Sequence, residues 1–418
     1  MLNRRSFATL LAGAAVLGGR AHAQGLRGKT VLYANVGPEL FLYDVDAEGA
    51  TLTRRSSVML QAGVQYAWPH PTNRFFYVAS SNGRPGGGPV NQGDKHYASA
   101  FRIDPVTGVL TPYGQVLQLA ARPIHISVDA AGQYAMIAYN DPSNVTVHRI
   151  NANGSLGAAV VQAQKPDIGI YAHQIRTTPM NRTAVLVCRG NNPAEGKGED
   201  PGSLKVFGFA DGQFTNLASY APGGGYGFGP RHLDFDPAGR FAFVSLEREN
   251  KLYTYGLQAD GTLSRDPLFM TESLAEPNNR RRGQGAGTIH VHPNGRFVYQ
   301  ANRNSAVVDF QGRQVFAGGE NNMAVFAIDE RTGEPRLIQN ADGHANQLRT
   351  FSIDPTGRVL VAASINSILM RQGNSATNLS AGLVVYRIGN DGRLSFARKY
   401  DVDTSKGTQF WSGMVTLT

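Results

Sequence analysis

The sequence predicts an all-β fold, a seven-bladed β-propeller with four antiparallel strands per blade and a ring closed by pairing the N- and C-terminal strands. Three observations lead there. The 418 residues include 49 glycines and 21 prolines, with few long stretches of helical periodicity, a composition of short strands joined by turns. One strand–turn–strand unit recurs six times. Each end of the chain then supplies only part of a further unit.

The chain begins Met1-Leu-Asn-Arg-Arg-Ser-Phe-Ala, continues through an apolar run from Ala8 to Gly19, and offers Ala21-His-Ala23 as a small-residue cleavage site. Residues 1–23 therefore read as an export signal, and Arg4-Arg5-Ser6-Phe7 gives it the twin-arginine type. The apolar run falls short of the roughly 18 to 20 residues that span a bilayer. The expectation is a periplasmic protein without membrane attachment after cleavage, with residues 24–418 as a single propeller. Cleavage removes three arginines, Arg4, Arg5 and Arg20, and lowers the formal charge from +9 to +6. The longest basic run, Arg280-Arg281-Arg282, lies in a Pro/Asn/Gly-rich segment and is no nucleic-acid footprint. Anionic small molecules are the natural partners of such a chain, and a monomer is expected.

The clearest repeat runs from Gly229 to Glu247. Arg231 to Asp236 and Arg240 to Val244 alternate apolar and polar residues around Asp236-Pro-Ala-Gly239, the pattern of a β-hairpin. Its relatives are Ala67–Tyr77, His125–Tyr134, Gln174–Arg182, Ile289–Tyr299 and Phe351–Leu360. A third strand follows each, as in Val145–Ile150, Leu204–Phe209, Lys251–Tyr255, Met323–Asp329 and Leu383–Ile388. A fourth comes after turns such as Thr332-Gly333-Glu334 and Asp391-Gly392. Four strands per repeat is the pattern of a propeller blade. Thr30–Val36 reads as a second strand with no inner strand before it, and Gln409–Leu417 as a strand with nothing after it. Pairing the two completes a seventh blade, at about 56 residues per blade, and abolishes open edges.

The long loops, 83–96, 191–202, 276–287, 306–320 and 366–381, are rich in Gly, Asn and Pro and are expected to be exposed and partly mobile. Cys188, the only cysteine, falls inside the strand Ala184–Cys188 and reads as a small buried apolar residue, so no internal disulfide can form. Paired cysteines and His-Glu-x-x-His spacings are absent, so neither a tightly bound metal nor another cofactor is expected.

Superposing the hairpins on their turns gives two columns, 16 residues apart, at one open end. The first holds Ile124, His173, Arg231, Gly287 and Arg349; the second holds Asn140, Arg189, Glu247, Arg303 and Ile365. Inner strands of a propeller converge on the central channel, so these columns would ring one mouth of it. His125, His232 and His290, on the same inner strands, join Arg189 and Arg349 as candidate substrate contacts, although packing or channel lining is the ordinary role for such histidines. His70, where other repeats place Asp, is assigned to turn chemistry. Four arginines around one carboxylate leave excess positive charge, costly in solvation unless an anion fills the site. Against this, each Arg could be a structural group satisfied at a blade junction.

Gly229-Pro-Arg-His-Leu-Asp-Phe-Asp-Pro-Ala-Gly-Arg-Phe, with Glu247 16 residues after its Arg, resembles the seven-bladed propeller lactonase family, which includes 6-phosphogluconolactonases and carboxy-muconate lactonising enzymes. Ile289–Arg303, Met323–Gly333 and Phe351–Arg358 carry the resemblance across nearly all of the chain after the signal. It implies hydrolysis or formation of a sugar-acid or dicarboxylic lactone, with His173, Arg231, Glu247 and Arg303 as the catalytic group. Ile170-Tyr-Ala-His173 keeps only the second histidine of the family's Pro-His-Ala-His pattern, Tyr171 standing at the first. Because a phosphorylated sugar lactone is a cytoplasmic metabolite, an exported member is expected to meet an unphosphorylated aldonolactone or another acidic ring ester.

In the expected mechanism Arg231 and Arg303 hold the substrate's carboxylate or developing oxyanion. Either Glu247 or His173 activates water, and the other protonates the leaving alkoxide. The rival reading is a non-catalytic periplasmic propeller that binds an anionic ligand or a protein partner.

Overall fold

The computed structural model describes residues 28–85 and 92–418; the export signal read at residues 1–23 lies outside them. Seven four-stranded antiparallel sheets form, numbered here as blades 1 to 7 in chain order. Blade 5 shows the plan: the inner strand Pro230–Phe235 is followed outward by Phe241–Leu246, Lys251–Gly256 and Phe269–Glu272. Among the described residues no helix is long and apolar enough to cross a membrane.

Blade 1 is assembled from both ends of the chain. The C-terminal strand Ser412–Thr416 pairs antiparallel with Thr30–Val36, with Ala34 opposite Ser412 and Thr30 opposite Thr416. Glu39–Asp46 and Thr51–Met59 complete the sheet. The buried Asn35 fastens the approach, its Oδ1 accepting the backbone N–H groups of Phe410 (3.2 Å) and Trp411 (2.8 Å).

The hairpin turns explain why the repeat needs Asp and Gly. Asp236 is buried, and its Oδ1 accepts the N–H groups of Arg240 and Phe241 while its carbonyl takes that of Gly239. Gly239 sits at φ +67°, a conformation that disfavours a β-carbon. Asp129 and Asp354 repeat these bonds in blades 3 and 7. In blades 2 and 6 histidine takes the place of Asp. His70 and His292 accept a local N–H at Nδ1, from Thr72 and Asn294, and each places Nε2 against a carbonyl of the next blade's turn, Gly132 (3.0 Å) and Gly357 (2.9 Å). The imidazole therefore closes its own turn and links two blades. Second-strand tyrosines add further links, Tyr33, Tyr77 and Tyr299 donating to Gly108, Gly154 and Gly392 of the following blades.

Two of the expected loops are ordered ribbons. Residues 306–320 contain the hairpin Val307–Phe310 with Arg313–Phe316, and 366–381 contain Ile368–Gln372 with Ser375–Leu379. The first turns at Gln311 and Gly312, both at positive φ, the geometry that a two-residue hairpin loop requires. Arg371 of the second lies 4.5 Å from the ring centre of Phe310 and joins the ribbons. Cys188 is fully buried with its Sγ 2.8 Å from the carbonyl of Ile168, and burial pushes its thiol up to about 12.

Ring closure yields a direct test. Truncation after Trp411 removes the inner strand of blade 1 and is expected to lower the melting temperature by about 10 °C or more, on a scale of a few degrees per kcal/mol. Circular dichroism would measure it, and a melt within about 2 °C of the full chain would contradict the role given to the terminal pairing.

Candidate active site

Six inner strands share one irregularity. The pairing of each with its neighbour slips at Val64/Tyr66, Pro123/His125, Ala172/Gln174, Pro230/His232, Ala286/Ile289 and Leu348/Thr350. The residues left over are Gln65, Ile124, His173, Arg231, the pair Gly287 and Thr288, and Arg349. A bulge breaks the strict alternation of faces and re-aims a side chain. The first column of the sequence is thus a ring of bulge residues.

That ring opens into a cavity of about 1090 Å³ at one end of the channel. Ile124, His173, Arg231 and Arg349 line it from the first column, and Arg189, Glu247, Arg303 and Ile365 from the second. All four residues expected to be catalytic therefore meet in one cavity. Asn140 instead accepts a hydrogen bond from Arg122 Nη2 at 3.2 Å and does not line it.

Glu247 is the centre of the charge arrangement. Arg189 Nε (3.1 Å) and Arg231 Nε (3.3 Å) meet its Oε2, and Arg303 Nη2 (3.3 Å) meets Oε1. Burial alone would raise the carboxyl's pKa, but Arg189, Arg303 and Arg231 override it and hold the group at about 2. It is an anion at neutral pH and a weak base. Arg231 is 1% exposed, its guanidinium nitrogens have no hydrogen bond, and burial together with Arg303 lowers it to about 9.

His173 is held differently. Burial, followed by the charges of Arg231, Arg349 and Arg189, depresses its pKa well below the ordinary 6.5, so the ring is neutral at pH 7. Its Nδ1 is sealed without a partner, leaving Nε2 as the nitrogen to face the cavity. Tyr171 stacks on the ring at 6.2 Å and 17°, and lies 5.1 Å below the guanidinium of Arg189. An aromatic residue at φ +58° is strained, and this one shapes the cavity wall.

Three expected substrate contacts lie elsewhere. His125 and His232 follow the bulge residues directly and point into the channel beneath the cavity, fully buried, with ring centres 6.1 Å apart; His232 lies 5.0 Å from His173. Tyr66 packs on His125 at 4.2 Å in the same layer. His290, three residues beyond Gly287, faces Asp234 at 3.4 Å, where Arg176 also pairs, in a lower layer of the channel. The side-chain period of a strand, offset by the bulge, carries these residues away from the mouth.

Other contributors carried no signal in the repeat pattern. Phe410, just before the closing strand, forms a shelf 3.6 Å from the guanidinium carbon of Arg349. Arg248 lines the wall and pairs with Glu199, while Arg280, Arg281 and Arg282 add positive charge. Among the described residues no three His, Cys, Asp or Glu side chains cluster as metal ligands.

Residues 32–371 match the family described as "Lactonase, 7-bladed beta-propeller". The chain belongs to that lactonase family. A Bacillus subtilis relative named 6-phosphogluconolactonase is 26% identical over 342 residues, covering 79% of this chain and 86% of its own. A Yersinia pestis relative of the same name is 25% identical over 369 residues, 87% of this chain and 92% of its own. Among solved structures, a Lactobacillus plantarum protein superposes with a TM-score of 0.69 at 20% identity, covering 94% of this chain and 100% of that one. The Pseudomonas aeruginosa periplasmic gluconolactonase does so with a TM-score of 0.67 at 21% identity, covering 93% and 99%. These structural likenesses establish a shared propeller fold for this lactonase-family chain.

The Glu247 cluster has a pH signature. Its carboxyl is depressed from 4.5 to about 2, so the stability it contributes is complete above 4.5 and is lost as pH falls through 2. Glu247→Gln leaves three arginines without their acid and is expected to cost about 3 kcal/mol at pH 7. In urea unfolding the gap between variant and wild type should narrow progressively below pH 4.5. A gap of constant size down to pH 2 would contradict this assignment.

Proposed function

We propose that this propeller hydrolyses the ring ester of a sugar-acid or related anionic lactone, and does so in the periplasm after export. The observation that carries the reading is the convergence of His173, Arg231, Glu247 and Arg303 in one cavity of a lactonase-family chain. The names of its curated relatives, 6-phosphogluconolactonase, support the reaction class. The twin-arginine reading of residues 1–23 favours an unphosphorylated aldonolactone over the phosphorylated ring.

The chemistry divides between the neutral imidazole and the cations. His173 Nε2 takes a proton from a water whose oxygen attacks the lactone carbonyl carbon. The carbonyl oxygen becomes an oxyanion beside Arg231 and Arg303, whose charges are fixed before the reaction and need no reorganisation. The ring C–O bond then breaks, the imidazolium returns its proton to the leaving alkoxide, and a hydroxy acid results, which ionises to its carboxylate. Glu247, protonated only near pH 2, does not serve as the base; it keeps Arg189, Arg231 and Arg303 aimed at one point.

Acid release at constant pH from a panel of aldonolactones, corrected for spontaneous hydrolysis, tests the reading. His173→Asn should lower kcat by about 100-fold or more, the scale of general-base loss. Because His173 is neutral well below pH 6.5, kcat/KM of the wild type should show no inflection at that pH. Turnover of the variant within a few-fold of wild type would remove His173 from the role. Absence of wild-type turnover on every lactone would favour the binding protein.

A further inference from the structure

Of the four arginines that the two columns bring to the mouth, three share Glu247, whereas Arg349 meets no carboxylate within ion-pair distance. It is nonetheless 5% exposed and lines the cavity. Its guanidinium carbon lies 3.6 Å from the ring centre of Phe410, which covers the group on one side. The carbonyl of Arg349 is taken by Thr288 Oγ1 at 2.7 Å, so the backbone is held as well. Beside it stands Arg231, with no hydrogen bond from any guanidinium nitrogen; its charge, after burial, is the largest influence holding Arg349 well below its ordinary pKa. Arg349 therefore offers its guanidinium to the cavity, with the charge of Arg231, whose nitrogens are sealed, as a second buried cation beside it. Such an arrangement is unfavourable empty and becomes favourable when an anion enters.

We propose that Arg349, with Arg231 and the Phe410 shelf, is the seat of the carboxylate that ring opening creates. Hydrolysis converts the neutral ring ester of an aldonolactone into a carboxylate inside the cavity, and Arg349 is the column arginine without an acid until then. A planar carboxylate can engage the edge of a guanidinium through two parallel N–H···O bonds. The lactonase therefore binds hydroxy-acid anions more tightly than neutral polyols of the same length, and its product is a competitive inhibitor. This identity of the anion rests on the lactonase reading, whereas the seat itself rests on the charge geometry.

Calorimetric titration of the full chain with sodium gluconate, and separately with the neutral polyol sorbitol, tests the proposal without requiring turnover. Wild type should bind gluconate, with affinity falling as sodium chloride is raised, and should bind sorbitol at least ten-fold more weakly. Arg349→Met, which removes an uncompensated buried charge, should stay folded by circular dichroism and raise the gluconate Kd at least ten-fold. Should that variant not fold, Phe410→Leu, which removes only the shelf, should raise the Kd at least three-fold. Gluconate binding unchanged in whichever variant folds, or sorbitol bound as tightly as gluconate by wild type, would overturn the seat. Loss of gluconate binding in Arg349→Met by a chain that hydrolyses no lactone would leave the seat standing and remove only the lactonase reading.

Discussion

Everything at the mouth depends on the pairing of the two chain ends. Until Ser412–Thr416 docks beside Thr30–Val36 there is no closed ring, and inner strands from different blades do not share a channel. The same step delivers Phe410, held by Asn35, beneath Arg349. Residues that are remote in sequence then sit around a single carboxylate. A recurring bulge finishes the arrangement, because it turns His173, Arg231 and Arg349 into the cavity at the same height in three different blades.

Charge is deliberately unbalanced there. Of the four column arginines three share one carboxylate and the fourth has none, and the imidazole beside them is kept neutral by burial and by the charges of Arg231, Arg349 and Arg189. A site made for stability would pair each charge. Under the proposed function the surplus stands where an ester carbonyl develops an oxyanion and then a carboxylate, so that binding and chemistry would draw on one electrostatic feature. Glu247 matters as the acid that holds the arginines in place, since the charges that aim them also strip it of basicity.

Much of this was legible in the sequence because the propeller is repetitive. The Asp-Pro-x-Gly turns marked the hairpins, the incomplete ends marked the closure, and the spacing of 16 residues brought His173, Arg231, Glu247, Arg303 and Arg349 to one end. What stayed hidden lies where the repeat gives way. His125 and His232 sit next to bulge residues, and without the slip in register a neighbour in the channel cannot be told from a neighbour in the mouth. Phe410 immediately precedes the closing strand, and Tyr171 holds a position that carries Gly229 and Gln347 in blades 5 and 7, so neither ring recurs with the repeat. The ribbon at Val307–Phe316 did carry a signal, alternating residues around Gln311-Gly312, but glycine content outweighed it.

A crystal structure of the full chain grown with gluconate shows whether an anion completes the mouth. The carboxylate should lie with its oxygens within hydrogen-bonding distance of Arg349 and Arg231, above Phe410 and beside His173, while Glu247 keeps its contacts with Arg189 and Arg303. Gluconate bound away from this cavity, or a mouth in which Arg349 has turned to an acid of the protein, would contradict it.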